Sequence, residues 1–262
     1  MADVRTEEDF AGNPRLVPGA VRRAALEVAG WPELTPASAS GSVPDSVVVI
    51  CQKGLKLSAG AAAWLRQAGI PARVLEGGME AWDEARLPSV PCAALPQPDG
   101  AGRTLWVTRE RPKVDRIACP WLIRRFVDRR AVFLFVPAGE VAAVSERFAA
   151  TAFDLEGAFW SHRGELCSFD VLLEGLELQT PALLRLAAVV RGADTARPEL
   201  APEAAGLLAV SLGLSRLHAQ DCDQLAAGLP LYDALYHWAR DAFGETHDWP
   251  ARQEVGAREL RA

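Results

Sequence analysis

The stretch SVVVICQKGLKLSAGAAAWLRQAGIPARVLEGGMEAW, residues 46–82, decides the fold of the first half of the chain. It opens on Ser46–Ile50, a short apolar run rich in β-branched residues, which predicts a strand buried on both faces. Ser58–Ala68 is rich in alanine and predicts a helix. Gly69-Ile70-Pro71 ends it, as glycine and proline after a helix commonly do. Ala72–Leu75 predicts a second strand, followed by a Gly77-Gly78 turn and a helix around Met79–Ala85. Strand, helix and strand in that order imply a parallel sheet with a right-handed crossover.

Cys51 stands where the first strand ends, and the loop Gln52, Lys53, Gly54, Leu55, Lys56 leads from it into the helix. A backbone loop at a helix N-terminus points N–H groups inward and favours an anion at its centre. A thiolate is such an anion, so the cysteine is expected to be acidified and nucleophilic at neutral pH. Lys53 and Lys56 add positive charge. A lone cysteine at a strand end is more often a core residue, but the strand, glycine loop and helix around this one favour the nucleophile. A thiolate here can take sulfur from a donor and hold it as a persulfide.

Beyond that stretch, residues 87–103 (LPSVPCAALPQPDGAGR) are rich in proline, glycine and small residues and predict a linker that few contacts cross. The expected organisation is a first domain over 1–90, a linker over 91–103, a second domain over 104–250 and a tail over 251–262. In the second domain Thr104–Val107 and Val132–Val136 predict strands, and Pro120–Val127 and Gly139–Phe148 predict helices. From Pro181 onward the pattern is helical almost throughout, in segments 181–191, 202–213, 216–228 and 230–243. The fold class expected is a three-layer α/β domain with a parallel sheet, then an α+β, mostly helical domain.

The 262 residues, half of them apolar, suffice for one or two packed domains. A formal net charge of −6 argues against non-specific nucleic-acid binding by the whole molecule. Met1 is followed by ADVRTEEDF with no apolar leader, no stretch is long and apolar enough to span a bilayer, and five scattered cysteines read as free thiols. These features predict a cytoplasmic protein with no membrane partner.

Residues 3–90 resemble the single-domain rhodanese family. The resemblance is carried by Asp3-Val4-Arg5, Pro18-Gly19-Ala20, the Cys-x-x-Gly-x-Arg/Lys loop as Cys51–Lys56, and LEGGMEAW (75–82). It implies a rhodanese-like fold, catalysis by a persulfide on Cys51, and partners that are a small sulfur donor and a thiol acceptor. The likeness begins at the DVR element, so an N-terminally shortened domain is expected. Lys56 stands where the family usually carries arginine, a point charge in place of a bidentate fork.

The second half opens on a basic segment. Residues 103–130 hold nine basic groups against Glu110, Asp115 and Asp128. Either this is a solvated face paired with acids elsewhere, or its arginines bind a tetrahedral oxyanion such as sulfate, phosphate or chromate. Arg116, Arg124 and Arg125 are the oxyanion candidates. Few aromatics interleave the run, which disfavours a platform for single strands. Further on, FDLEGAFWSHRGELCSFD (153–170) sets His162 five residues from Cys167, with Asp170 close by, and Asp194 could add a carboxylate. Imidazole, thiolate and carboxylate ligate divalent metals, so a divalent metal is the one cofactor these residues suggest. A hydrogen-bonded structural cluster is the alternative.

Residues 104–244 resemble the C-terminal domain of the chromate-resistance ChrB-type family, through WVTRERPKVDRIACPWLIRRF (106–126), FDLEGAFWSHRGELCSFD (153–170), VVRGAD (189–194) and LYDALY (231–236). This implies a role in chromate resistance as sensor, regulator or detoxifying partner. Where the family carries a regulatory N-terminal half, that half contacts DNA; here a rhodanese-like domain takes its place, and a nucleic-acid partner is not expected. Two readings follow: a sulfurtransferase, or a chromate- or metal-binding sensor whose rhodanese-like domain is accessory.

Overall fold

The computed structural model describes residues 1–31 and 46–245. The first half runs β1 (Ala2–Asp3), α1 (Glu7–Gly12), β2 (Arg15–Leu16), β3 (Val21–Arg22), β4 (Val47–Ile50), α2 (Lys56–Gln67), β5 (Ala72–Val74), α3 (Gly78–Glu84) and β6 (Val90–Pro91). Strands β3, β1, β4 and β5 lie in that spatial order, and every neighbouring pair is parallel.

The apolar run in β4 is explained by what covers it. Side chains alternate across a strand. Val47, Val49 and Cys51 join Ala61, Ala62 and Leu65 of α2 on one face. Val48 and Ile50 meet Met79 and Trp82 of α3 on the other. With helices on both faces the sheet is the middle of three layers. Burying a side chain such as Ile50 or Met79 contributes about 1.5–3 kcal/mol, which fixes α2 and α3 against opposite sides of the strand that ends at Cys51. The DVR element is a buried ion pair: the Arg5 guanidinium lies 2.6 Å from the Asp3 carboxylate and also donates to the carbonyls of Asn13 and Arg15.

The second half runs β7 (Leu105–Arg109), α4 (Asp115–Leu122), β8 (Val132–Val136), α5 (Val141–Phe148), β9 (Thr151–Ala152), α6 (Ser168–Gly175), α7 (Pro181–Asp194), α8 (Ala204–Leu217) and α9 (Asp221–His237). Its three strands are also parallel, with β7 between β8 and β9. Trp106 and Phe133 face the large core with α4, α6 and α7, whereas Val107 and Leu134 face α5. The helical end is therefore packed on a small parallel sheet.

Several boundaries differ from those expected. Helix α4 starts at Asp115, five residues before Pro120, and its interior proline is followed by a π-helical turn over Ile123–Val127. A proline inside a helix removes one backbone donor and crowds the preceding turn. The segments 216–228 and 230–243 are not two helices split at Pro230. The break falls at His218–Gln220, and α9 runs through Pro230 before a second π-helical turn at Trp238–Ala242.

Residues 91–103 also hold more structure than a linker crossed by few contacts. β6 pairs antiparallel with β2, Val90 is buried in the large core of the second half, and Ala94 and Leu95 pack against that core. Gly19 N–H donates to the Phe126 carbonyl at 2.8 Å, and Arg15 pairs with Glu177 at 2.9 Å. The expected tail at 251–262 lies outside the described residues.

Candidate functional site

Cys51 is a free, buried thiol at the C-terminal end of β4. The loop after it turns back so that Leu55 N–H points at Sγ (3.3 Å), and Ser58 Oγ in the first turn of α2 lies 3.1 Å from the same sulfur. Burial alone pushes the thiol up. The Ser58 hydroxyl and the backbone N–H groups of Ser58, Leu55 and Lys53 favour the thiolate and leave the group below its ordinary value. The Ser58 hydroxyl has one proton and two acceptors, the sulfur and the Leu55 carbonyl, each 3.1 Å away. It can therefore serve the thiolate and turn to the carbonyl when sulfur is protonated.

Two glycines make this loop. Gly54 has φ +68 and Gly78 φ +63, a region that costs residues other than glycine. A Cβ on Gly78 would stand 2.2 Å from the Cys51 carbonyl oxygen. That closeness lets Met79 N–H bond the Cys51 carbonyl (3.0 Å) and Glu80 N–H bond the Gln52 carbonyl (3.1 Å). The start of α3 thus clamps the cysteine loop. Lys53 and Lys56 are exposed, and Lys53 Nζ lies 4.0 Å from Glu80.

The second half gathers another set of groups at the carboxyl ends of β7 and β9. His162 Nε2 lies 3.2 Å from Asp194 Oδ2, 3.4 Å from Asp154 Oδ1 and 3.5 Å from Asp115 Oδ2. Asp115 is the first residue of α4 and is almost fully buried; it accepts the N–H groups of Ser168 (2.6 Å) and Phe169 (3.1 Å) at the start of α6. Asp194 Oδ1 accepts from Asp115 N–H at 3.4 Å. Arg109 and Arg116 each lie 3.2 Å from Asp154 Oδ2. The hydrogen bond to Asp115, reinforced by the charges of all three aspartates, outweighs burial and raises His162 to about 9. Burial, then the charges of Asp115 and Asp154, raises Asp194 to about 7. Burial also pushes Asp115 up.

The segment 111–114 positions this cluster. Val114 takes φ +31, strained for a β-branched residue. It is held there because its N–H bonds Ser211 Oγ (2.9 Å) and its carbonyl accepts from Tyr232 Oη (2.8 Å). Arg111 is fixed by the carbonyls of Ser215, His218 and Ala219. Helices α8 and α9 thereby set the start of α4. An open cleft of about 540 Å³ reaches the cluster, lined by Arg109, Asp154, Phe159, Ser161, His162 and Arg163 among others.

The residues named from sequence are distributed otherwise than expected. His162 and Asp194 do meet. Cys167 and Asp170 do not join them, because they form the capping box of α6: Asp170 Oδ2 accepts the Cys167 N–H at 3.0 Å and its S–H at 3.2 Å. Burial drives the Cys167 thiol far up, and Asp170 Oδ1 is paired with Arg191 at 2.7 Å. Their places beside His162 are taken by Asp115 and Asp154.

The three candidate arginines do not converge on one oxyanion site. Arg116 pairs with Asp154, Arg124 lies over the Phe133 ring and donates to the Ala131 carbonyl, and Arg125 forms a bidentate pair with Asp233 at 2.7 Å. Arg124 and Arg125 are consecutive on one helix, and adjacent helical positions do not share a face.

A parallel-sheet domain presenting a cradled thiol, joined to a helical domain with its own polar cluster, matches two known families. The family described as ChrB, C-terminal domain, matches residues 106–239, and the chain belongs to it; the rhodanese-like domain family matches residues 1–85. The chain is 39% identical over 109 residues to Protein ChrB of Cupriavidus metallidurans, covering 41% of this chain and 32% of that protein. The match thus spans about a third of the curated relative's length. A Rhodopseudomonas palustris structure, a protein of unknown function described as a possible tyrosine phosphatase, aligns at 27% identity over 33% of this chain and 67% of its own, with a TM-score of 0.28. No helix among the described residues is long and apolar enough to cross a membrane.

Proposed function

We propose that this chain is a sulfurtransferase that carries a persulfide on Cys51 and serves chromate resistance. The observation that carries the reading is the setting of Cys51 Sγ, between Ser58 Oγ at 3.1 Å and the Leu55 N–H at 3.3 Å, in a loop clamped by α3. The Cys51 thiolate attacks the outer sulfur of a donor such as thiosulfate. A sulfur–sulfur bond forms to Cys51, the donor's own sulfur–sulfur bond breaks, and sulfite leaves with the electron pair. The terminal persulfide sulfur is an anion, and N–H groups of the loop stabilise it. An acceptor thiolate or cyanide then attacks that sulfur, and Cys51 leaves as the thiolate. Lys56, exposed at the start of α2, supplies a point charge near the mouth of the loop. The tie to chromate rests on membership of the ChrB family, and a cytoplasmic setting agrees with free thiols at all five cysteines.

The test is a sulfurtransferase assay with thiosulfate as donor and cyanide or dithiothreitol as acceptor. The unsubstituted chain turns over and Cys51→Ser does not. Turnover that survives Cys51→Ser removes the assignment.

A further inference from the structure

We propose that Asp115, Asp154, His162 and Asp194 form a binding site for one first-row divalent cation at the carboxyl end of the second parallel sheet. This site is separate from the chemistry assigned to Cys51.

The first argument is the spacing of the donor atoms. Bonds of about 2.0–2.2 Å from a metal to nitrogen and oxygen set neighbouring donors roughly 3.0–3.5 Å apart in octahedral or tetrahedral arrangements. The three carboxylate oxygens stand 3.2, 3.4 and 3.5 Å from His162 Nε2. Donor atoms of Asp115, Asp154 and His162 all lie within 4.8 Å of one another, and Asp194 joins this trio through its 3.2 Å approach to His162 Nε2.

Outer contacts orient these donors, as at metal centres where hydrogen bonds fix the ligands. Asp154 Oδ2 is held by Arg109 and Arg116, and Oδ1, which faces His162, also accepts from the Ser168 hydroxyl at 2.9 Å. Asp194 Oδ1 caps α4, leaving Oδ2 toward the centre. Three carboxylates with one imidazole suit cations of the manganese-to-zinc series, for which oxygen and imidazole donors are the usual ligands.

A second observation concerns the same end of the sheet. Thr108, fully buried near the carboxyl end of β7, has a hydroxyl with no hydrogen-bond partner among the described residues. By strand alternation it lies on the Trp106 face, toward α4 and α6, whose first turns carry Asp115 and Ser168. A buried hydroxyl left unpaired is destabilising, and a ligand or its bound water relieves that. The place is also where parallel sheets bind ligands: the spatial order β8-β7-β9 reverses at β7, and the cluster joins the segments after β7 and β9. The cleft beside His162 and Asp154 leaves a path for entry and for an exogenous ligand.

The experiment uses the full chain, stripped with a chelator and titrated with manganese(II), followed by elemental analysis and electron paramagnetic resonance. One equivalent is expected to bind, and pulsed spectra are expected to show coupling to one imidazole nitrogen. His162→Ala and Asp194→Asn are expected to weaken binding by more than about tenfold, with folding checked by circular dichroism. The imidazole coupling in the unsubstituted chain serves as the readout if a variant misfolds. Absence of stoichiometric binding, absence of nitrogen coupling, or equal affinity in both folded variants overturns the site.

Discussion

The Ser58 hydroxyl stands 3.1 Å from Cys51 Sγ, seven residues along the chain and across the turn from strand into helix. That one contact joins the loop geometry to the acidity of the thiol. A hydrogen bond to a charged group is worth about 1.5–3 kcal/mol, and one pKa unit is about 1.4 kcal/mol. Ser58→Ala is therefore expected to raise the Cys51 midpoint by about one unit. At pH well below that midpoint the thiolate fraction then falls about tenfold, while each thiolate becomes about threefold more nucleophilic. Alkylation by iodoacetamide should slow by about threefold, with the midpoint of its pH profile displaced upward. An unchanged midpoint would show that the serine only packs.

The pH dependence of the unsubstituted chain has a definite sign. The folded thiol lies below its ordinary value because hydrogen bonds to the thiolate outweigh burial. The alkylation rate should rise with pH and level off at a lower pH than for a denatured-state cysteine in urea. Since the folded state holds the thiolate better, Cys51 contributes stability above the unfolded value, and that contribution is lost as pH falls through the folded one. Overlaid alkylation profiles of folded and unfolded chain would contradict this.

Gly78→Ala places a methyl carbon 2.2 Å from the Cys51 carbonyl oxygen and requires φ +63 of an alanine. The chain is expected to lose more than about 1 kcal/mol in urea unfolding, and the clamp of α3 on the cysteine loop should open, lowering sulfur transfer. Gly69→Ala, also at positive φ but with open space around it, should cost stability and leave transfer largely intact. Equal loss of transfer in the two variants would refute the clamp.

Arg5→Ala removes a guanidinium that pairs with buried Asp3 and satisfies two backbone carbonyls. Removing one partner of a buried ion pair costs up to about 3–5 kcal/mol, and Asp3 then keeps only the more distant Arg22, at 3.9 Å, as a cation, so the variant should unfold at markedly lower denaturant. A shift below about 1 kcal/mol would show that water reaches Asp3 once the arginine is gone.

What the sequence made legible follows from how local each signal is. The buried strand, the cysteine loop and the Gly-Gly turn lie within 37 consecutive residues of one strand–helix–strand unit, so periodicity and glycine placement reveal them. Val132–Val136 is a strand at the bounds expected, because its apolar run is bordered by turn residues. The acid–histidine cluster is different. Its donors come from α4, the segment after β9 and the end of α7, and only long-range packing brings them together. Asp115 reads in sequence as one acid diluting a basic run. Its only local mark is its place before the apolar stretch IACPWLI, as the first residue of a helix. Cys167 lies near His162 in sequence, yet it is a helix cap whose thiol points to Asp170. Proximity along a loop carries little information about which side chains converge.

The most direct test of the proposed chemistry is intact and peptide mass spectrometry of the full chain after incubation with thiosulfate. A gain of one sulfur atom on the peptide containing Cys51, removed by cyanide or a reducing thiol and absent in Cys51→Ser, is the result expected. No gain at Cys51, or an equal gain at the exposed Cys222, would contradict it.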